Sequence, residues 1–226
     1  MNQWFAVDFF AHKKHLCLNI EYMKSQFVTS REVTDMDIGK KSEGLRNRMK
    51  RAIIIGSPGA GKSTFARQVR DITGLPLYYL DMIWHLPDRT TITKDEFDQK
   101  LMDILKTNTW IIDGNYGRTI EMRLKYCDTV FLLDYPLEVC LAGAKARVGK
   151  KREEIPWVEE EFDEEFRQFI IDFPETKLPR IYGLLEQYGA GKEIYIFQSR
   201  EDANKYLESL NGLFSVITES MVAEEK

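Results

Sequence analysis

After residue 48 the chain carries five short apolar runs: Ala52 to Ile55, Leu77 to Leu80, Thr109 to Ile112, Thr129 to Leu133 and Glu193 to Gln198. They are close to continuous rather than alternating, the pattern of strands buried on both faces of a parallel sheet. Helical segments separate them. Ser63 to Thr73 is stopped by Gly74-Leu75-Pro76, and a second helix runs from about Thr93 to Lys106, with Thr93 as N-cap and Glu96 three residues on. Thr119 to Tyr126 and Leu137 to Val148 follow. Two further helices split at Pro174, and Glu201 to Leu210 forms the last. Alternation of strand and helix predicts βαβ units and an α/β domain with its sheet covered on both faces. Residues 1–48 lack this pattern. They mix Trp4, Phe5, Phe9 and Phe10 with a polar stretch from Thr29 to Asn47. The expected division is an extension over 1–48, poorly ordered and dispensable, as if translation began upstream of Met49, and one domain over 49–226. The aromatics of the extension leave a small docking element as the rival reading.

Within the first strand and its helix lies Gly56-Ser57-Pro58-Gly59-Ala60-Gly61-Lys62-Ser63-Thr64, which matches G-x-x-x-x-G-K-[ST] at every fixed position. Glycines at this spacing let successive backbone N–H groups turn inward to form an anion nest, and the helix adds its positive end. Gly56 to Thr64 are therefore the candidate phosphate-binding residues. Lys62 is placed to reach the β- and γ-phosphates of a nucleotide, and Ser63 to ligate Mg²⁺.

Composition removes several alternatives. A net charge of −4 and a pI near 5.6 argue against direct nucleic-acid binding, which needs a basic footprint. Cys17, Cys127 and Cys140 are widely spaced and read as small buried hydrophobes in a reducing compartment. His12-Lys13-Lys14-His15 lacks a third ligand and reads as a solvated basic patch. No apolar run has the length of a membrane helix, and no signal-peptide pattern opens the chain, so the expected location is cytoplasmic.

In doubly wound sheets ligands sit at the carboxyl ends of the strands. Asp81, Asp113 and Asp134 lie there, after the second, third and fourth strands. Asp113 suits a partner for Mg²⁺, beside Ser63. Asp134 fits a site or a turn equally. The charge that develops in phosphoryl transfer also calls for planar guanidinium groups. Arg118, Arg147 and Arg152 are the candidates by their position, whereas Arg123 and Arg167 read as arginines on a solvated helix face.

These residues resemble the nucleoside monophosphate kinase group. Trp110 to Thr119 (WIIDGNYGRT) is similar to the adenylate kinase segment in which a strand and Asp-Gly precede Phe-Pro-Arg-Thr, with one residue inserted. Ala146 to Arg152 (ARVGKKR) resembles the entry to the adenylate kinase lid. The resemblance covers about residues 50–210. It implies a three-layer α/β/α P-loop kinase fold with a five-stranded sheet in order 2-3-1-4-5. It also implies an acceptor-binding region near 82–108 and a short mobile lid near 149–165. Catalytic roles fall to Lys62, Arg118, Arg147, Arg152 and Asp81, with ATP and Mg²⁺ as cofactors. Trp84 and Met122 stand where adenylate kinases carry AMP-reading side chains, which points away from AMP. The combination of Leu80-Asp81-x-x-Trp84 with Ile112 to Tyr116 is closest to adenylate-kinase-like proteins known as DNA topology modulation proteins. The function implied is transfer of the γ-phosphoryl group of Mg·ATP to a small nucleotide-like or hydroxylated acceptor. The alternative is an ATP-binding regulatory module that influences DNA topology indirectly. Asp81 resembles the carboxylate that holds the acceptor hydroxyl in shikimate- and gluconate-type kinases, and a contact to a ribose or base edge stays open beside that. Oligomeric state is not legible.

Overall fold

The computed structural model describes residues 28–29 and 49–224, with side chains for 49–212. Six parallel strands form one sheet: β1 (Val28–Thr29), β2 (Arg51–Gly56), β3 (Leu77–Tyr79), β4 (Trp110–Asp113), β5 (Thr129–Leu133) and β6 (Glu193–Phe197). Their order is β1-β6-β5-β2-β4-β3. Without the two-residue β1, this is the expected 2-3-1-4-5 arrangement. β1 extends the sheet beyond β6, pairing Val28 with Tyr195 and Thr29 with Ile196. The rest of the extension, including His12 to His15 and Cys17, lies outside the described residues.

The apolar runs are continuous because each strand feeds two cores. From β2, Ile53 and Ile55 enter one core with Leu80, Phe97, Trp110 and Ile112. Ala52 and Ile54 enter the other, with Phe65, Val69, Phe131 and Phe197. All four β2 side chains are fully buried. Truncating any one of these three isoleucines to alanine would cost about 2–5 kcal/mol. The helices α1 (Lys62–Thr73), α2 (Leu80–Trp84), α3 (Lys94–Leu105), α4 (Ile120–Tyr126), α5 (Leu137–Lys145), α6 (Glu164–Thr176), α7 (Leu178–Tyr188) and α8 (Arg200–Glu224) cover the sheet, and a 3₁₀ turn at Gly117–Thr119 precedes α4. Punctuation behaves as residue chemistry requires. Gly74 closes α1 in the left-handed conformation and donates to the Arg70 carbonyl at 2.7 Å. Thr93 Oγ1 caps α3 by accepting from Glu96 N at 3.2 Å.

Four boundaries differ from the sequence reading. Asp81 is not at a strand end but in the first turn of α2, which starts directly after β3. α5 ends at Lys145 rather than Val148, so Arg147 lies in the turn beyond it. Pro174 sits inside α6, two residues from its end. The break comes at Lys177, because Pro179 occupies the first turn of α7, where a missing N–H costs nothing. α8 runs on to Glu224 instead of stopping at Leu210.

Register carries the fold to the site. Asp113 lies opposite Ile54 of β2 on one side and Tyr79 of β3 on the other. The end of β4 thus comes level with the start of the glycine-rich turn and the entry to Asp81.

Candidate active site

The turn between β2 and α1 is shaped by contacts that only glycine permits. Gly59 has φ +81°, and a Cβ there would stand 2.0 Å from the Cys140 carbonyl of α5. From the opposite side, a Cβ on Gly143 would stand 2.1 Å from the Gly59 carbonyl. Helix α5 therefore rests its backbone directly on the turn, an approach that nothing in the motif announces. Within the turn, Ala60 N donates to the Ser57 carbonyl at 3.2 Å, and Lys62 Nζ donates to the same carbonyl at 3.0 Å. Burial lowers the Lys62 pKa, while the charges of Asp113 and Asp81 oppose that shift.

Asp113 is 5 % exposed. Burial pushes its carboxyl up to about 6, against the pull of the Lys62 charge and the Ser63 hydroxyl. Its Oδ1 is buried with no hydrogen-bond partner. A carboxylate oxygen without a partner, beside a hydroxyl and a phosphate nest, fits the donor set of Mg²⁺, which takes few protein ligands and completes its shell with phosphate and water oxygens. Ser63 and Asp113 would hold such an ion. Among the described residues no cluster of three or more His, Cys, Asp or Glu forms a metal centre of another kind.

Two cavities open at this point. One, of about 490 Å³, is lined by Gly59 to Thr64 with Arg147, Lys150, Arg152, Arg200 and Asn204. The second, of about 700 Å³, is lined by Asp81, His85, Asp113 to Arg118 and Trp157, with Phe166, Phe169, Phe173, Lys177 and Arg180 beyond. Lys62, Ser63, Arg147, Arg152 and Glu154 belong to both. Arg147 and Arg152 are held by acidic residues of the segment after α5. Arg147 Nε lies 3.1 Å from Glu159, with its guanidinium 5.0 Å from the centre of the Phe166 ring. Arg152 bridges Glu154 at 2.9 Å and Glu159 at 3.1 Å, and Glu154 also meets Arg67 at 3.1 Å. Burial lowers the Arg147 pKa, with Glu159 opposing.

On the second cavity, Tyr116 Oη donates to Asp81 Oδ1 at 2.9 Å. Arg118 stands half exposed at the rim in a two-toothed ion pair with Asp98, one contact at 2.7 Å. Asp134 lines neither cavity, and its Oδ2 accepts from Tyr182 Oη at 2.8 Å. It does not cap α5, whose N-cap is Pro136 without a side-chain bond; its bond to Tyr182 of α7 is one that neither reading named. Arg167 pairs with Glu164 on the surface of α6, as a solvated-face residue does.

Arg123 overturns its reading as a solvated residue. It is fully buried and donates to the carbonyls of Gly114 at 2.8 Å, Thr119 at 3.4 Å and Asn115. Burial pulls its pKa down to about 10. The signal was in the periodicity, because Ile120, Arg123, Leu124 and Cys127 form the i, i+3, i+4, i+7 stripe that faces the core. The guanidinium shapes the loop after β4 from beneath. From above, Asn115 clamps it to the glycine-rich turn: Nδ2 donates to the Gly56 carbonyl at 2.7 Å, and Oδ1 accepts from Gly56 N at 3.0 Å. Asn115 had no assigned role, since a side chain that bonds one backbone residue 59 positions away leaves no local pattern.

No family model matches the chain. The adenylate kinase of Thermotoga petrophila is 32 % identical over 93 residues, 40 % of this chain and 41 % of that protein. The adenylate kinase of Thermosipho melanesiensis is 35 % identical over 104 residues, 44 % and 46 % of the two chains. The chain thus matches less than half the length of these curated relatives. Among solved structures, a shikimate kinase from Bacteroides thetaiotaomicron has a TM-score of 0.47 at 19 % identity, covering 74 % of this chain and 99 % of that one. A gluconokinase from Sinorhizobium meliloti 1021 has a TM-score of 0.42 at 11 % identity, covering 79 % and 99 %. The chain is similar to P-loop kinases. No helix among the described residues is long and apolar enough to cross a membrane.

Proposed function

We propose that this protein is a phosphotransferase that moves the γ-phosphoryl group of Mg·ATP to a small acceptor. The observation that carries the reading is the meeting of two cavities at Lys62, Ser63, Arg147 and Arg152. A donor in the first and an acceptor in the second would touch only there, and water would be excluded from the junction by both substrates. The nest and Lys62 bind the β- and γ-phosphates, Ser63 and Asp113 hold Mg²⁺, and Arg147 and Arg152 stabilise the transferring group. Mg²⁺ supplies neutralisation of phosphate charge when bound. The segment over 149–165 acts as the lid, because its acidic residues hold Arg147 and Arg152 until nucleotide phosphates replace them. Arg118 and Asp81 face the acceptor, with residues 82–108 as its binding region. Similarity to adenylate kinases supports the phosphotransferase class.

The test is ADP release from Mg·ATP against nucleoside monophosphates, nucleosides and small polyols, with water as the blank and Lys62→Ala as the control. One acceptor that raises ADP release well above the blank, lost in Lys62→Ala, is the expected result. Binding of Mg·ATP with no release to any acceptor would contradict it and favour a regulatory module.

A further inference from the structure

The sheet ends in two edges, and the two are not built alike. β3 closes one edge with three residues, Leu77–Tyr79, between Pro76 and the first turn of α2. Pro76 has no N–H to offer, and its carbonyl already accepts from Ile111 N at 2.7 Å. Such a short strand beside a proline gives an incoming chain little to pair with. β6 would close the other edge if β1 were absent. It has five residues, Glu193–Phe197, paired with β5 in unbroken register. Ile194 and Ile196 enter one core, Tyr195 and Phe197 the other, and all four are buried. This is the construction of a central strand, placed next to the end of a sheet.

Nothing within β6 itself protects its outer side. No charge, proline or glycine lies from Ile194 to Phe197, and the ladder to β5 has no bulge. A run of β-branched and aromatic residues on an edge presents its N–H and C=O groups as a template for another extended segment. That side is met instead by β1, where Val28 lies opposite Tyr195 and Thr29 opposite Ile196. Both residues belong to the stretch over 1–48 that the sequence alone reads as dispensable. The connection from β1 back to β2, Ser30 to Lys50, has 21 residues. A parallel pair needs about a dozen or more for its crossover, so this chain is long enough to supply its own edge strand.

We infer that β1 is an edge guard, and that the side of β6 it covers would otherwise pair with β6 of a second copy of this chain. The second copy follows from the geometry of the edge. Two identical strands meet antiparallel about a two-fold axis, so each copy offers the other the same row of donors and acceptors. A foreign segment would have to bring a matching strand, whereas a second copy always carries one. Two residues form a short ladder, and tethering is what favours it. The connection gives β1 an effective concentration at the edge on the order of millimolar, above that of a second copy in dilute solution. The inference is independent of the chemistry at the junction of the two cavities.

The experiment uses the full chain, with Val28→Pro and Thr29→Pro made singly. Of two adjacent strand residues, one points its N–H at the neighbouring strand and the other points it away. The proline that removes the inward N–H should free the edge, while the outward one should be tolerated. Sedimentation equilibrium should then give the parent and one variant the same mass, and the other variant about twice that mass as concentration rises. Hydrogen exchange should show β6 amides of that variant unprotected when dilute and protected again once copies pair. A peptide of residues 24–33 added in trans should restore the parent mass, and the same peptide carrying both prolines should not. Replacing Val28 and Thr29 together by glycine, which keeps both N–H groups but weakens the strand, gives a milder form of the same result if a proline variant fails to fold. Variants that match the parent in mass and in β6 protection would overturn the inference, as would an unprotected β6 with no rise in mass. A parent with twice the mass of its variants would contradict it too, because β1 would then join copies instead of keeping them apart.

Discussion

The two cavities that meet at Lys62, Ser63, Arg147 and Arg152 are built in opposite ways. The first is lined by one continuous stretch of the glycine-rich turn, Gly59 to Thr64, with the backbone of α5 resting directly on it at Gly59 and Gly143. The wall of the second is assembled from side chains of α2, the 3₁₀ turn, the segment around Trp157, α6 and α7, drawn from residues 81 to 181. A backbone nest recognises a phosphate, and phosphates are alike. A wall of dispersed side chains recognises one particular molecule. Under the proposed function, the architecture separates what nucleotide-binding proteins share from what is individual to this one.

Substitutions that break one side should leave the other intact. The largest effects belong to the junction. Arg152→Ala should lower turnover about 10³-fold or more if the guanidinium stabilises the transferring phosphoryl group, measured with the best acceptor at saturating Mg·ATP. A change under about tenfold in a folded variant would remove that role.

Next comes the buried support. Arg123→Met takes away the donors for three carbonyls and leaves an apolar chain of similar length. Unsatisfied buried acceptors cost about 1–3 kcal/mol each, so a loss of at least about 3 kcal/mol in urea unfolding is expected, with acceptor use more impaired than affinity for Mg·AMP-PNP. Equal loss on both sides would mean that the loop after β4 supports the whole junction alike.

Asp113 gives a stability effect of opposite sign. Its folded pKa of about 6 lies above the ordinary 3.8, so between these values the folded state holds a proton that the unfolded state has released. In metal-free buffer this group lowers stability as pH rises through that window, reaching about 3 kcal/mol above pH 6. Asp113→Asn should be more stable than the parent at pH 7.5 in EDTA, match it near pH 3.5, and lose the melting-temperature gain that Mg·ATP gives the parent. A variant less stable than the parent at pH 7.5 would contradict the pKa assignment.

Smaller effects lie at the rim. Glu159→Gln frees Arg147 and Arg152 from one shared partner and should tighten Mg·AMP-PNP several-fold by calorimetry. Asp98→Ala frees Arg118, a half-exposed pair worth at most about 1 kcal/mol, and should leave stability nearly unchanged while altering acceptor KM.

The same contrast explains how much was legible in the sequence. The sheet order and the phosphate nest follow from local features: apolar runs with two-sided burial, and fixed spacing of glycines, Lys62 and Ser63. Asp113 was legible because it ends a strand adjacent to that nest. Arg118, Arg147 and Arg152 were located by short motifs, but their partners Asp98, Glu159 and Glu154 were not, since ion pairs between segments leave no spacing to read. Arg123 was misassigned because charge was weighed above its place on the buried stripe of α4. Asn115 and Tyr116 escaped for another reason: the clamp on Gly56 and the bond to Asp81 exist only once β2, α2 and β4 have come together in register.

The most direct test of the account follows the γ-phosphoryl group itself. ATP labelled at the γ-position is incubated with the protein, Mg²⁺ and a pool of small alcohols and nucleotides, and the labelled products are separated. The account predicts label on one organic acceptor with the wild-type protein and none with Lys62→Ala. Label that stays entirely in ATP, although the protein binds Mg·ATP, would contradict it.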